Sequence, residues 1–436
     1  QKRMPITFSG FPADGETLTN FPALIIFSNT AAGVGFDYAD FLSPPWYDLR
    51  FAAADKTTPL DFEVELWNPA GLSYVWVRIP ELTHNTVIHA LWRRGGVIAP
   101  PCATNGSVWD DKYRAVWHMN DGADNAHISD SSSNRHSGVK KAAASPVETD
   151  AVVGKGQKFS SNYINVTGLS DPGKTHTISM LVNGTSAAAS LYAFDVQSGR
   201  LLVGWSSDSA KLGIYGTSWA NFGNVPSLSV WHHIVFLFES SGSASCYVDG
   251  VKYGSTLSHT PAVIGGAVSI GCRYSFDSYY FPGMLDEIRV SSVIRSSNWI
   301  RACFMNMASN SVFNSYGAPE YQGAPIVTNL VAVSENEFMT LNGYLISTGM
   351  DANVSAAVFW GTNDAGRQAE GWTYTNRIPG IVAEGPLSAD ITPDKVGQLY
   401  YFRFSASNSF GQTWASPVHD FRWWADVRTG SVFSTW

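Results

Sequence analysis

The sequence predicts an all-β protein built from three consecutive β-sandwich domains, and three observations support this prediction. Aromatic residues make up 13% of the chain and glycine occurs 39 times, whereas charged residues make up only 15%. This balance favours aromatic-rich strands joined by tight turns over helical bundles. Short apolar or alternating runs, separated by turn residues, recur along the chain. Finally, a length of 436 residues corresponds to about three domains at roughly 150 residues each.

The first predicted domain, a small β-sandwich, spans residues 1–114. Within LDFEVELWN polar and apolar residues alternate, which places Phe62, Val64 and Leu66 on one buried face of a strand. The carboxylates of Glu63 and Glu65 then lie on the opposite face, so we expect a sheet with one solvated side. Further strands are expected at 21–27, 48–53, 74–80 and 86–93.

The second predicted domain spans residues 115–307. Two strand-like runs joined by a Ser/Gly turn predict a β-hairpin at 231–248. One short helix is expected near 296–305, capped by Ser296 or Ser297, because apolar residues there have helical spacing. Other strands are expected at 115–119, 163–166, 176–182, 191–196 and 201–205.

Residues 308–324 are rich in Asn, Ser, Gly, Ala and Pro, which predicts a linker. A third domain is expected at 325–424. The final segment, 425–436, carries aromatic residues that a flexible terminus would not normally have. Strands of the third domain are expected at 328–333, 340–347, 356–361 and 398–407.

Several phrases resemble known domain families. In the first domain LDFEVELWN, YVWVRIPEL, VIHALW and SVWDDKYRAVWHMND resemble a β-sandwich domain of unknown function from bacterial and archaeal surface proteins. In the second domain AVWHMND, DSSSNRHSG, WHHIVF, CYVDG and MLDEIRVSSVIRSSNWIRA resemble the laminin-G-like jelly roll of the concanavalin-A-like superfamily. This second resemblance implies two antiparallel sheets and a role in binding, adhesion or spacing.

The phrase ITPDKVGQLYYFRFSASNSFGQTWAS in the third domain resembles a fibronectin type III sandwich. That family implies a corner tyrosine, which is matched here by Tyr400 or Tyr401. The inserted segment NDAGRQAEGWTYTNRIPG is longer than the usual fibronectin loop and departs from the family pattern.

Known catalytic motifs are missing from the sequence. Glucanases of the concanavalin-A-like superfamily carry an E-x-D-x-x-E strand, since alternation aims both carboxylates into one cleft, and this chain has no such pattern. Asp286 and Glu287 are adjacent, so alternation predicts that they point to opposite faces and form no acid/base pair. His232 and His233 are separated in the same way. GxSxG and HExxH motifs are also missing, so we expect a protein that is not an enzyme.

Two acidic residues are candidate calcium ligands. Asp130 in DSSSN and Asp286 in LDE match positions at which the laminin-G-like family has recurrent acidic residues, and such modules often hold calcium. Hard cations of this kind take carboxylate and carbonyl oxygens. The alternative is that Asp130 forms an Asx-turn and Asp286 is a structural carboxylate, with no cofactor bound.

Aromatic residues in two segments are candidate ligand-binding residues. The loop 273–281, RYSFDSYYF, has five aromatic residues in nine positions. Aromatic rings with a polar tip suit sugar stacking or a protein interface, whereas the alternative is that they plug the ends of the sandwich. The candidates are Trp219, Phe222, Tyr274, Phe276, Tyr279 and Tyr280.

The four cysteines have no CxxC spacing, which argues against a zinc motif, and their even number allows two disulfides. Of the three possible pairings, one joins Cys102 to Cys303, which would link the first domain to the second, and Cys246 to Cys272 within the second domain. Buried free thiols are the alternative.

Charge and hydropathy exclude two classes of partner. The net charge of -8 is spread along the chain without a basic run, so we expect no nucleic-acid binding. No apolar run approaches the roughly 18 residues of a membrane-spanning helix.

We therefore expect a secreted or cell-surface protein that mediates adhesion or glycan binding through its central jelly roll, with a polysaccharide or a surface protein as partner. An alternative is a structural subunit of an extracellular filament or surface layer that binds copies of itself head to tail. Val432, Phe433 and Trp436 would then add a strand to a neighbouring sheet. A third alternative is an accessory module of a glycoside hydrolase.

Overall fold

Short antiparallel strands account for most of the regular structure, and the prediction of an all-β fold is confirmed. The computed structural model describes residues 1–29, 35–122, 124–196, 201–208, 210–216, 218–259, 264–334 and 338–424. The chain divides into two compact units, one formed by residues 4–318 and the other by residues 1–3 and 319–436. Among the described residues, no helix is long and apolar enough to cross a membrane.

The unit 4–318 begins with a two-sheet sandwich, which we call the first sandwich. One of its sheets has the strand order β1-β7-β3-β4 and the other has the order β2-β6-β5. A short helix, α1 (Cys102–Asn105), follows the last strand. The strands are β1 (Lys2–Thr7), β2 (Leu18–Phe27), β3 (Arg50–Ala52), β4 (Pro59–Leu60), β5 (Phe62–Leu66), β6 (Ser73–Leu82) and β7 (Val87–Trp92).

A second, larger sandwich follows in the same unit and is here called the central sandwich. Its strands are β8 (Tyr113–Trp117), β9 (His127–Ile128), β10 (Gly138–Lys140), β11 (Val147–Asp150), β12 (Lys155–Phe159), β13 (Ile164–Leu169), β14 (His176–Gly184), β15 (Leu191–Val196), β16 (Leu201–Trp205), β17 (Lys211–Tyr215), β18 (Trp219–Asn224), β19 (His232–Phe238), β20 (Ser243–Val248), β21 (Val251–Ser258), β22 (Gly266–Ile270) and β23 (Gly283–Ser291). One eight-stranded sheet has the order β18-β17-β16-β15-β22-β13-β10-β9. The other has the order β11-β12-β23-β14-β19-β20-β21, with β8 paired to β23.

Helix α2 (Ser297–Ala308) lies where the sequence predicts a helix. Ser296 is its N-cap, because the Ser296 hydroxyl accepts a hydrogen bond from the Trp299 backbone N–H at 3.1 Å. Trp299, Cys303 and Met307 are buried in the same core as the first sandwich. The helix therefore follows the central sandwich in sequence but packs on the first sandwich.

The segment 308–324, which the sequence predicts as a linker, contains regular structure. Helix α3 (Asn310–Phe313) and strand β24 (Ser315–Tyr316) form within it, and β24 pairs with β1. Strand β25 (Glu320–Tyr321) belongs to the other unit and pairs there with residues 2–3. The physical reason is hydrogen bonding, since the side-chain amides of Asn306, Asn310 and Asn314 all donate to the Leu24 carbonyl.

The other unit forms two antiparallel sheets. Their orders are β26-β28-β27, with β31 paired to β28, and β30-β29-β32-β33, with β34 paired to β32. The buried Tyr400 accepts a hydrogen bond from the Lys395 N–H at 3.2 Å, as a corner tyrosine would, whereas the fibronectin type III resemblance itself stays a prediction. The predicted tail residues Val432, Phe433 and Trp436 lie outside the described residues. The strands named here are β26 (Ile326–Asn329), β27 (Val333–Ser334), β28 (Met339–Ser347), β29 (Ser355–Gly361), β30 (Tyr374–Arg377), β31 (Gly385–Ile391), β32 (Leu399–Asn408), β33 (Gly411–Trp414) and β34 (His419–Arg422).

Candidate functional site

Four aromatic rings gather on the central sandwich, and we call them the aromatic surface: Tyr192, Tyr215, Trp219 and Tyr279. They come from β15, β17, β18 and the loop after β22. The Tyr192 ring centroid lies 5.0 Å from that of Tyr279 and 5.9 Å from that of Trp219, and Trp219 lies 5.6 Å from Tyr215. Tyr279 is 43% exposed, so part of this group is open to solvent.

Local turns hold the loop that supplies Tyr279. The chain leaves β22 at Gly271, which has a φ of +87° and faces the Phe159 ring, a position suited to glycine alone. The Asp195 carboxylate then accepts a hydrogen bond from the Tyr274 N–H at 2.9 Å. At the far end of the loop, the Tyr192 N–H donates to the Tyr279 carbonyl at 3.2 Å. These contacts place the Tyr279 ring beside strand β15.

Charged groups border the aromatic surface. The Arg273 guanidinium lies over the rings of Tyr274 and Tyr279, at 5.5 Å and 5.8 Å from their centroids. Burial raises the pKa of Asp195 to about 6. Hydrogen bonds from Ser275 and Ser278 lower the pKa of the exposed Asp277. The rings therefore have a cation and hydrogen-bonding groups beside them.

The predicted aromatic candidates separate into three groups. Trp219 and Tyr279 belong to the aromatic surface, and the half-buried Tyr274 borders it through Arg273. The side chains of Phe276 and Tyr280 have other neighbours: the Phe276 ring lies 4.5 Å from that of Tyr163, and the Tyr280 hydroxyl donates to the Phe276 carbonyl, while the Tyr280 backbone pairs with Tyr192.

Phe222 is a correction to the predicted binding residues. Its side chain is buried in the core of the central sandwich, where its ring lies 6.0 Å from that of Phe236. Alternation along β18 turns this ring inward, so it is not available to a ligand. The structure adds Tyr192, Tyr215 and Arg273, which had no sequence motif to mark them.

The two predicted calcium ligands, Asp130 and Asp286, have different neighbours, and calcium binding by them stays a prediction. Both Asp130 oxygens are occupied by donors, with Val116 N–H and Ser132 N–H on Oδ1 and His136 N–H on Oδ2, at 2.7–2.9 Å. These hydrogen bonds agree with the alternative interpretation, in which Asp130 forms an Asx-turn. Asp286 lies elsewhere, where its Oδ2 accepts from the Val153 N–H at 3.3 Å.

The predicted disulfides are also corrected, because all four cysteines are free thiols. Cys246 lies on β20 of one sheet of the central sandwich, and Cys272 follows β22 of the other sheet. Cys102 begins α1, whereas Cys303 lies within α2 beside Arg289 and Arg295. Burial raises the pKa of Cys303 to about 11, so the thiol form is favoured.

A second group of functional side chains is buried between the first and central sandwiches, and we call it the buried charged cluster: Glu63, Glu65, His118, Asp286, Glu287 and Arg289. Strand β5 supplies two of the carboxylates, His118 follows β8, and β23 supplies the rest. His118 Nδ1 lies 2.5 Å from Glu287 Oε1 and 3.4 Å from Glu65 Oε2, and His118 Nε2 lies 3.8 Å from Glu63 Oε1.

Two tryptophans enclose this cluster. Trp76 Nε1 donates to Glu65 Oε2 and Trp109 Nε1 donates to Glu63 Oε2, both at 2.7 Å. The Arg289 guanidinium lies 4.4 Å from the Trp76 ring and 4.8 Å from the Trp109 ring, and it also pairs with Glu287. The carboxylate face of β5, which the sequence pattern assigns to solvent, is therefore buried against the central sandwich.

A β-bulge in β23 brings Asp286 and Glu287 to the same side of the sheet. Opposite β14 the register moves from Ser179↔Arg289 to Leu181↔Asp286, which leaves one extra residue on β23. Glu287 takes this position with a φ of +49°. Both carboxylates then interact with Glu65 and His118, so the expectation of opposite faces is wrong.

Burial and ion pairing shift the pKa values of the carboxyl groups in the cluster in opposite directions. Burial raises the pKa of Glu65 to about 8, and burial together with Glu287 raises that of Asp286 well above its ordinary value. Burial also disfavours the charged forms of Glu287 and His118, but the attraction between these two opposite charges has the larger effect. It lowers the pKa of Glu287 to about 2 and, with Glu65, raises that of His118.

Comparisons with known proteins give one family and several distant structures. Residues 158–301 match the family model described as the concanavalin A-like lectin/glucanases superfamily. The comparison with curated proteins finds no match.

Similar solved structures have low TM-scores. Domain 4 of AbnA, an extracellular GH43 arabinanase from Geobacillus stearothermophilus in complex with arabinotriose, is 18% identical, with a TM-score of 0.36, over 44% of this chain and 97% of its own. The binding domain of Paraclostridial Mosquitocidal Protein 1 is 10% identical, with a TM-score of 0.36, over 72% of this chain and 92% of its own. Trypanosoma rangeli sialidase is 13% identical, with a TM-score of 0.34, over 56% of this chain and 42% of its own. These TM-scores are too low to carry an argument.

The family match covers β13–β23, and the two antiparallel eight-stranded sheets agree with the jelly roll that the sequence resemblance implies. The middle of this chain is therefore a concanavalin A-like domain.

Proposed function

We propose that this chain is a secreted or surface-displayed protein that binds a carbohydrate through the aromatic surface of its central domain. The observation that carries the proposal is that the Tyr192 ring lies within 6 Å of both the Trp219 ring and the Tyr279 ring, with Tyr279 exposed. Sugar rings have apolar C–H faces that stack on aromatic rings, and their hydroxyls need hydrogen-bonding neighbours. Arg273 and the Ser275–Ser278 turn supply such neighbours.

We propose binding without catalysis at this surface. Glycoside hydrolysis needs two carboxyl groups on either side of the scissile bond. Near the aromatic surface, Asp195 is buried and accepts from the Tyr274 N–H. The exposed Asp277 accepts hydrogen bonds from Ser275 and Ser278. Among the described residues around this surface, neither carboxyl group is placed to serve as general acid or nucleophile.

The test is binding of the full chain to a glycan array, followed by affinity electrophoresis in gels that contain each bound polysaccharide. Tyr279→Ala and Trp219→Ala should each weaken binding about tenfold, which corresponds to ~1.4 kcal/mol. Tyr344→Ala is the matched control, because Tyr344 has the same 43% exposure on the other unit. Unchanged binding by both aromatic variants, or no glycan bound by the wild type, would contradict the proposal.

A further inference from the structure

We propose that Glu65, His118 and Glu287 bind one divalent transition-metal ion, such as Zn²⁺, between the first and central sandwiches. This inference is independent of the proposed carbohydrate binding, because the buried charged cluster and the aromatic surface share no residue. The ion would join strand β5 of the first sandwich to strands β8 and β23 of the central domain.

The geometry provides a compact set of ligand atoms. One ligand atom from each of Glu65, His118 and Glu287 lies within 4.8 Å of the other two. Zinc sites place nitrogen and oxygen ligands at about 2.0–2.2 Å from the ion, so tetrahedral ligands lie ~3.3 Å apart. The 3.4 Å between His118 Nδ1 and Glu65 Oε2 already matches, whereas the 2.5 Å between His118 Nδ1 and Glu287 Oε1 must widen. One imidazole and two carboxylates suit Zn²⁺ and neighbouring transition metals better than Ca²⁺.

Unpartnered buried oxygens are a second observation that points to a ligand. Glu65 Oε1 and Asp286 Oδ1 are buried without a hydrogen-bond partner, although buried polar atoms are normally paired. The Glu65 side chain is 0% exposed, and its other oxygen is held by Trp76. A cation bound by both Glu65 oxygens, Oε2 beside His118 Nδ1 and the free Oε1, would give Oε1 a partner that the described residues do not supply.

Surrounding groups orient the three ligands, as the neighbours of a metal site usually do. Trp76 donates to Glu65, and Arg289 donates to Glu287 Oε2, which leaves Oε1 directed toward His118. The Arg289 guanidinium lies 4.4 Å from the Trp76 ring. One stacked pair therefore holds both ligand carboxylates, Trp76 that of Glu65 and Arg289 that of Glu287.

The test uses the full chain, purified without a metal-binding tag, treated with chelator and then equilibrated with ZnCl₂ or CoCl₂. Mass spectrometry for metals should find one ion per wild-type chain after gel filtration, and Co²⁺ should give a visible absorption band. Glu65→Gln, which keeps the size of the side chain, should lose both signals. Glu81→Gln, at an exposed position on β6, is the control and should keep them.

Two outcomes would overturn the proposal: a wild-type chain that retains no stoichiometric metal, or a Glu65→Gln chain that retains as much as the wild type. Circular dichroism should show that Glu65→Gln remains folded. If it does not, the wild-type stoichiometry and the Co²⁺ band still decide the question, because a strong Co²⁺ band distinguishes a four-coordinate protein site from the hydrated ion.

Discussion

Nδ1 of His118 lies 2.5 Å from Oε1 of Glu287, and both side chains are almost completely excluded from solvent. This pair belongs to the central domain, but Glu65 of the first sandwich lies 3.4 Å from the same nitrogen. The imidazole therefore stabilises carboxylates from both sandwiches at once. Removal of one partner from a buried ion pair leaves an uncompensated charge in a low-dielectric environment.

His118→Ala should lower the free energy of unfolding of the unit 4–318 by roughly 3–5 kcal/mol, because Glu287 loses one of its two cations and keeps only Arg289. Urea unfolding followed by tryptophan fluorescence measures the change. His127→Ala is the matched control: His127 pairs with Asp124 at 2.9 Å, but both side chains are more than half exposed. That variant should unfold close to the wild-type midpoint. Equal losses in the two variants would contradict the role assigned to burial.

Asp195 predicts a pH dependence of stability. Burial raises its pKa in the folded state to about 6, whereas an unfolded aspartate has a pKa of about 3.9. The folded state therefore holds the proton over a range in which the unfolded state has lost it. This contribution to stability is present below about pH 4 and is lost as the pH rises through 6.

Asp195→Asn should remove that dependence. Relative to the wild type, the variant should gain up to about 3 kcal/mol of stability between pH 4 and pH 7, since one pKa unit is worth 1.36 kcal/mol. The amide oxygen still accepts from the Tyr274 N–H, so the loop keeps its anchor. Parallel pH profiles of the unfolding midpoint for the two proteins would show that the prediction is wrong.

Gly271→Ala should destabilise the central domain and weaken glycan binding. A Cβ at this position would lie 2.3 Å from the Phe159 ring, and φ is +87°, so the variant meets both a steric clash and backbone strain. We expect a loss of about 2–4 kcal/mol in thermal unfolding. Gly168→Ala is the control, because its φ is +74° but no atom lies within 4 Å of the added Cβ. Gly168→Ala should lose only the stability that backbone strain costs, about 1–2 kcal/mol. An equal loss of stability in both variants would exclude a contribution from the clash with Phe159.

Much of the fold follows from local pattern. Three local features agree with the prediction from sequence: strand β5, the hairpin β19–β20 and the serine cap before α2. The phrases from WHHIVF to MLDEIRVSS also identify the central domain, since they lie within residues 158–301, which the family model matches. These features depend on near neighbours in the chain, whose chemistry the sequence displays directly.

The candidate sites follow from the sequence only in part. Trp219 and Tyr279 were identifiable from aromatic crowding. The sequence did not point to Tyr192, and it wrongly included the buried Phe222, because composition does not distinguish a ring that points into the core from one that points to solvent. In the buried charged cluster, the carboxylates of Glu63 and Glu65 have the pattern of a solvated face. Their burial depends on β23 of the central domain, which is more than 200 residues away in the chain.

By itself, the sequence determined the β-class and the start of helix α2, because periodicity and capping are local properties. Its characteristic phrases also identified the concanavalin A-like domain. The tertiary structure alone decided what covers each face. It buried the carboxylate face of β5, ordered the predicted linker through three asparagines, and brought Asp286 and Glu287 to one side through a single extra residue in β23. Alternation states which residues share a face, but it cannot state what packs against that face or where a bulge interrupts the alternation.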